Sequence, residues 1–125
     1  MKFFLHFVLF GIILLSFTNC STHKPLYYYG DYSEEYYTAK RELTPEAKLQ
    51  LQHSIEEAIN NPNNSISQRV APGMYANLGY IYLKNANNAK AIEYFEKEKQ
   101  LYPESAYFMQ RMINKVKALE EKENE

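Results

Sequence analysis

From Thr44 onward, apolar residues return every three or four positions, the interval of an α-helix with one buried face. Thr44-Pro45-Glu46 is a helix start: threonine suits the N-cap, proline the first helical position, and glutamate the positive end of the helix. Behind it, Ala47, Leu51, Ile55, Ala58 and Ile59 make one stripe, and Asn60-Asn61-Pro62 stops it. A polar loop runs to Gly73, and Pro72-Gly73 opens a second helix to about Lys84, with Tyr75, Leu78, Gly79 and Tyr82 on one face. The Asn85-Ala86-Asn87-Asn88 turn offers asparagines for left-handed geometry and capping. A third helix, about Ala89 to Leu101, places Ala91, Ile92 and Phe95 inward. Pro103 then sets off a fourth, about Glu104 to Glu121, with Met109, Met112, Ile113, Val116 and Leu119 as its stripe.

Small and large residues interleave in the middle pair. Gly79 and Ala91 remove bulk where two helices would cross, so their axes can approach closely, and Tyr75, Leu78, Tyr82 and Phe95 fill the space around that point. This spacing resembles the tetratricopeptide repeat. Its aromatic, Leu, Gly, Tyr, Ala, Phe, small and Pro positions fall on Tyr75, Leu78, Gly79, Tyr82, Ala91, Phe95, Glu98 and Pro103. Only Glu98 departs. A charged group where a small one packs predicts either a looser lower end of the hairpin or a Glu98 turned to solvent. Adding the repeat period of about 34 residues carries Tyr75, Leu78, Gly79 and Tyr82 onto Met109, Met112, Ile113 and Val116, so the fourth helix reads as a capping half-repeat. The methionines of that stripe read as core fillers rather than a cofactor site.

The N-terminus has a different pattern. Lys2 precedes an apolar run from Phe3 to Phe17, interrupted mainly by His6. That is short of the about 20 residues needed to span a bilayer and fits the apolar part of a secretory signal. Cys20, the sole cysteine, stands where cleavage is expected. The site resembles the lipobox of bacterial lipoproteins, although Phe17 and Asn19 depart from its usual Leu and small residue. The resemblance implies cleavage before Cys20, lipid on its sulfur, and, from Ser21 behind it, an outer-membrane address facing the periplasm. Between anchor and helices lies KPLYYYGDYSEEYYTAKREL. Tyr27, Tyr28, Tyr29, Tyr32, Tyr36 and Tyr37 concentrate half of the chain's twelve tyrosines there. Tyrosine joins an apolar ring to a wet hydroxyl, so the segment reads as an extended strap across the helices, a tether, or a binding strip for a partner.

Composition narrows the function classes. Net charge is −1, which gives no field for nucleic acid. One cysteine excludes an internal disulfide, and His23 and His53 outside the leader are too few for a His/Cys metal cluster. No nucleophile–base set, paired-carboxylate cleft or glycine-rich phosphate loop can be drawn. No cofactor is expected. Glu56-Glu57 and the Glu96/Glu98 pair read as solvated helix charges, and the acidic end Glu120 to Glu125 as a fraying terminus.

The motifs LYYYGDY, APGMYANLGYIYL and YFEKEKQLYPES, followed by Phe108-Met109, make the chain similar to a family of small lipoproteins catalogued as domain of unknown function 4810. Tyr29 stands where that family tends to have tryptophan. The resemblance implies an envelope location and, from the usual gene neighbours, a CsgG-like lipoprotein as a partner. The expected organisation is all-α: a leader at 1–19, a lipidated cysteine and Tyr-rich segment at 20–43, a tetratricopeptide-like stack of about four helices at 44–121, and an acidic tail at 122–125. The expected role is a membrane-anchored interaction or assembly module rather than an enzyme, with peptidoglycan or glycan binding through the tyrosines as the alternative.

Overall fold

The computed structural model describes residues 23–123, together with Met1 and His6. The rest of the expected leader, Cys20 and the last two residues of the acidic tail lie outside the described residues.

Regular structure among the described residues is entirely helical: α1 (Tyr32–Glu42), α2 (Pro45–Asn60), α3 (Met74–Lys84), α4 (Asn88–Leu101) and α5 (Ala106–Glu123), with single 3-10 turns at Pro62–Asn64 and Pro103–Ser105. Short turns reverse the chain between α1 and α2, α3 and α4, and α4 and α5, and the start of α2 (Pro45, Lys48) lies by the end of α3 (Lys84, Asn85), so successive helices run antiparallel. The molecule therefore has an upper end, at Leu43-Thr44 and Asn85–Asn87, and a lower end, at the 61–73 loop and the Pro103 turn.

The Tyr-rich segment, expected to be extended, is helical from Tyr32 on. Its charges explain why: Glu34 and Glu35 lie in the first turn and Lys40 and Arg41 in the last, each complementing the helix dipole. Ala39 is buried, and Leu43 ends the helix in the left-handed region at φ 57°, its N–H donating to the Ala39 carbonyl at 3.2 Å. Thr44 then caps α2, its Oγ1 accepting from the Ala47 N–H at 3.2 Å. In the Asn-rich turn the left-handed residue is Ala86, at φ 57°, not a flanking asparagine. Asn87 instead caps α4 by accepting from the Lys90 N–H.

The core falls into two clusters. Ile55, Ala58, Val70, Ala71, Met74 and Leu78 join α2, the following loop and α3. Ala91, Phe95, Met109, Ile113 and Val116 join α4 to α5. Gly79 lies at the crossing of α3 and α4. A Cβ there would lie 2.8 Å from Phe95 Cδ1 and Cε1 and 3.2 Å from the Ala91 carbonyl oxygen. Leu119, expected on the buried stripe, is 41% exposed.

Glu98 neither loosens the hairpin nor turns to water. It is buried, and its carboxylate accepts from the Gly73 N–H at 2.7 Å and the Ala76 N–H at 3.3 Å. The first residues of a helix have N–H groups without intrahelical partners, and Gly73, the N-cap of α3, has no side chain to offer. A carboxylate at that end also meets the positive pole of the helix. Glu98, expected as a solvated charge, is thus the N-terminal cap of α3, supplied from α4.

Tyr102, just before Pro103, closes the lower end. Its hydroxyl donates to the Val70 carbonyl at 2.6 Å. Burial, with the neighbouring Tyr27 hydroxyl, pushes its pKa above the usual tyrosine value of 10.0. In the unfolded chain the phenol ionises first, so stability is full below about pH 10 and falls as pH rises beyond it. Tyr102→Phe is expected to lower stability at neutral pH by losing the hydrogen bond, yet to flatten the alkaline decline. Urea midpoints measured across that pH range check both effects.

Candidate functional site: a lysine-rimmed apolar groove

At the upper end, α1 and α2 part from α3 and leave a groove of about 780 Å³. Proline at the start of α2 lies on the near wall, and Leu51 and Ile55, about two and three turns later, form the floor with Ile81 of α3. Tyr32 and Tyr36, one helical turn apart on α1, close one side. Lys48 and Gln52 repeat that spacing on α2, as do Tyr80 and Lys84 on α3, and Ile81 with Asn85, its C-cap. Leu49 and Tyr80, 52% and 48% exposed, stand at the mouth.

The polar groups are few and placed. Asn77 donates from Nδ2 to the Tyr32 hydroxyl at 3.0 Å, tying α3 to α1. Burial raises the Tyr32 pKa, which keeps that hydroxyl neutral as an acceptor. Lys84 lies over the Tyr80 ring at 5.3 Å. Outside the groove's lining, Lys40 of α1 lies over Tyr36 at 4.9 Å, and its pKa is raised first by a hydrogen bond to that tyrosine's hydroxyl. The described lining has two lysines and no carboxylate. Such a surface is suited to holding an apolar ligand with negative flanks. Its phenols, amides and ammonium groups provide no nucleophile–base pair.

The six clustered tyrosines divide among different surroundings. Tyr27 and Tyr28 are half-buried at the lower end. Tyr28 donates to Glu57 Oε1 at 2.7 Å, and that carboxylate is the first cause of its raised pKa. Just before them, the Pro25 and Leu26 carbonyls accept from the Ile66 and Ser67 N–H groups at 2.9 and 3.1 Å. Residues 24–28 are therefore a strap. Tyr32 and Tyr36 belong to the groove, while Tyr29 and Tyr37 are exposed. Rings from Tyr29 through Tyr37 follow one another at 5.6–6.4 Å between centroids.

Of the repeat-pattern residues, Gly79, Ala91 and Phe95 meet at the α3–α4 crossing, while Leu78 is buried in the cluster that joins α3 to α2. Tyr75 and Tyr82 stack on either side of Tyr94, at 6.1 and 5.4 Å, with Lys97 over Tyr94 and Lys90 over Tyr82. Pro103 opens the 3-10 turn before α5. Lys48, Leu49, Gln52, Tyr80 and Lys84 were not singled out as site residues from the sequence. The i,i+4 pairs were legible there, but not the splay of α2 from α3 that makes them face one opening.

No helix among the described residues is long and apolar enough to cross a membrane. No curated protein and no solved structure matches the chain. A family model does, over residues 26–112, from the strap to the second turn of α5. The chain belongs to the family described as Domain of unknown function (DUF4810).

Proposed function

We propose that the protein is a lipoprotein of the bacterial outer membrane, facing the periplasm and held by acyl chains on Cys20, and that it works as an assembly module rather than as an enzyme. The observation that carries the binding role is the groove: an apolar floor of Leu51, Ile55 and Ile81 with Lys48 and Lys84 at its rim and no carboxylate in its described lining. Its occupant is a segment of a partner protein with apolar side chains flanked by Asp or Glu. A CsgG-like lipoprotein is the partner to test first.

The supports differ in kind. The leader and its single cysteine support the anchor; multiple acyl chains, at about 0.8 kcal/mol per buried methylene, hold a small domain at a bilayer. The Gly79–Phe95 crossing supports a tetratricopeptide-like hairpin in α3 and α4. Stacks of such hairpins present concave surfaces to extended or helical segments.

Crosslinking in intact cells, followed by identification of the adduct, tests the module. Reversing the rim with Lys48→Glu and Lys84→Glu is expected to abolish the adduct while leaving the circular dichroism and melting temperature nearly unchanged, because both lysines are exposed. An adduct of undiminished yield rejects the groove. Co-sedimentation with insoluble cell wall and no protein adduct rejects the assembly role in favour of glycan binding.

A further inference from the structure

The strap fixes where an anchor must enter the body. Lys24 donates from Nζ to the Asn63 carbonyl at 3.4 Å, and the next two residues are bonded to Ile66 and Ser67 of the 61–73 loop. Cys20 precedes Lys24 by four residues. Four residues reach at most about 14 Å, at about 3.6 Å each, so an anchor on Cys20 would tether the protein by its lower end. No other end of the molecule can be the membrane-proximal one: α2 alone spans about 24 Å from bottom to top at 1.5 Å per residue.

That same end carries an unusual pair. Leu26 and Ile66 are 62% and 63% exposed, on two backbone segments joined by hydrogen bonds. Exposed aliphatic residues standing singly require no account. Two of them, on segments distant in sequence that are hydrogen-bonded to each other next to the tether, with the Lys24 ammonium group held at the Asn63 carbonyl of the same loop, fit an interface of acyl chains and phosphate headgroups. Glu120 and Glu121 lie toward the opposite end, because α5 starts at the Pro103 turn and runs upward. Anionic lipid would repel them there least.

We propose that the Leu26–Ile66 face is a membrane-contact surface, seated in the lipid interface when the protein is anchored. It rests on the reading of Cys20 as the lipidated residue. The groove then opens roughly 20 Å above the bilayer, within reach of a partner in the periplasm and out of the headgroup layer.

The chain has no tryptophan, so one introduced indole reports its own depth. Lipidated protein, processed at Cys20 and otherwise entire, with Leu26→Trp, Ile66→Trp or Leu49→Trp is reconstituted into phosphatidylethanolamine–phosphatidylglycerol vesicles, with and without bromine on the acyl chains. All three positions are exposed, and unchanged circular dichroism confirms that each variant is folded. The expected result is a blue-shifted emission at positions 26 and 66 that brominated lipid largely extinguishes, with position 49 unaffected. Flotation separates the two claims. Vesicles that carry the protein while positions 26 and 66 stay unquenched, or no better quenched than 49, overturn the seating and leave the anchor standing. Protein that fails to float overturns the anchor and the seating with it, and flotation undiminished in Cys20→Ser overturns the anchor, leaving quenching at 26 and 66 to decide the seating.

Discussion

Phe95→Ala lowers the unfolding free energy by about 3–5 kcal/mol, and the melting temperature by at least about 12 °C for a domain of this size. The ring is almost fully buried and joins α4 to both neighbours: it meets Gly79 of α3 on one side and the Met109–Ile113 face of α5 on the other. Truncation therefore leaves a cavity at the junction of two hairpins, where neither can collapse without dragging the other. The glycine gives a sharper test. In an exposed helix interior, Gly→Ala is worth about 1 kcal/mol of added stability. At Gly79 the new methyl would lie 2.8 Å from a ring that has no free space and 3.2 Å from a backbone carbonyl. Gly79→Ala is thus expected to destabilise, and Phe95→Leu in the same chain to recover part of the loss. Denaturant melts of the two single variants and the double measure that coupling. A Gly79→Ala protein that melts higher than wild type, or strictly additive effects, would remove the close crossing of α3 and α4.

What could be read without coordinates was what depends on neighbours in sequence. Thr44-Pro45 starts α2, Asn60-Asn61 ends it, and the spacing of Leu78, Gly79, Ala91 and Phe95 indicates a tight hairpin, all from signals within a turn or two. The helix from Tyr32 to Glu42 has the same kind of signal, in the acidic first turn and basic last turn, but its tyrosines do not form a clean apolar stripe at helical spacing. Other features had no local signal. Tyr102 reaches Val70 and the strap reaches the 61–73 loop across long stretches of chain. The groove depends on how far α2 and α3 part. A helical wheel assigns Lys48, Gln52, Tyr80 and Lys84 to outward faces, correctly, without revealing that two outward faces meet at one opening.

Glu98 is where sequence pattern and structure make opposite predictions of sign. The repeat pattern places a small residue at that position, so by pattern Glu98→Ala restores the preferred packing and raises stability. By geometry the same change strips the cap from α3, leaving the Gly73 and Ala76 N–H groups without their acceptor in a site that water scarcely enters. Losing a buried partner of this kind costs about 1–3 kcal/mol, and the loss of negative charge at the helix start adds to it. Destabilisation is therefore expected. Glu98→Gln should recover only part of it, because the amide offers one acceptor oxygen to two donors and turns an NH₂ group toward the second. The damage should also be local. Amide exchange at Gly73 and Ala76 is expected to accelerate in both variants, while Ile113 and Val116, in the core shared by α4 and α5, keep protection that tracks global stability alone. An Ala variant more stable than wild type would mean that the carboxylate is merely tolerated at the head of α3.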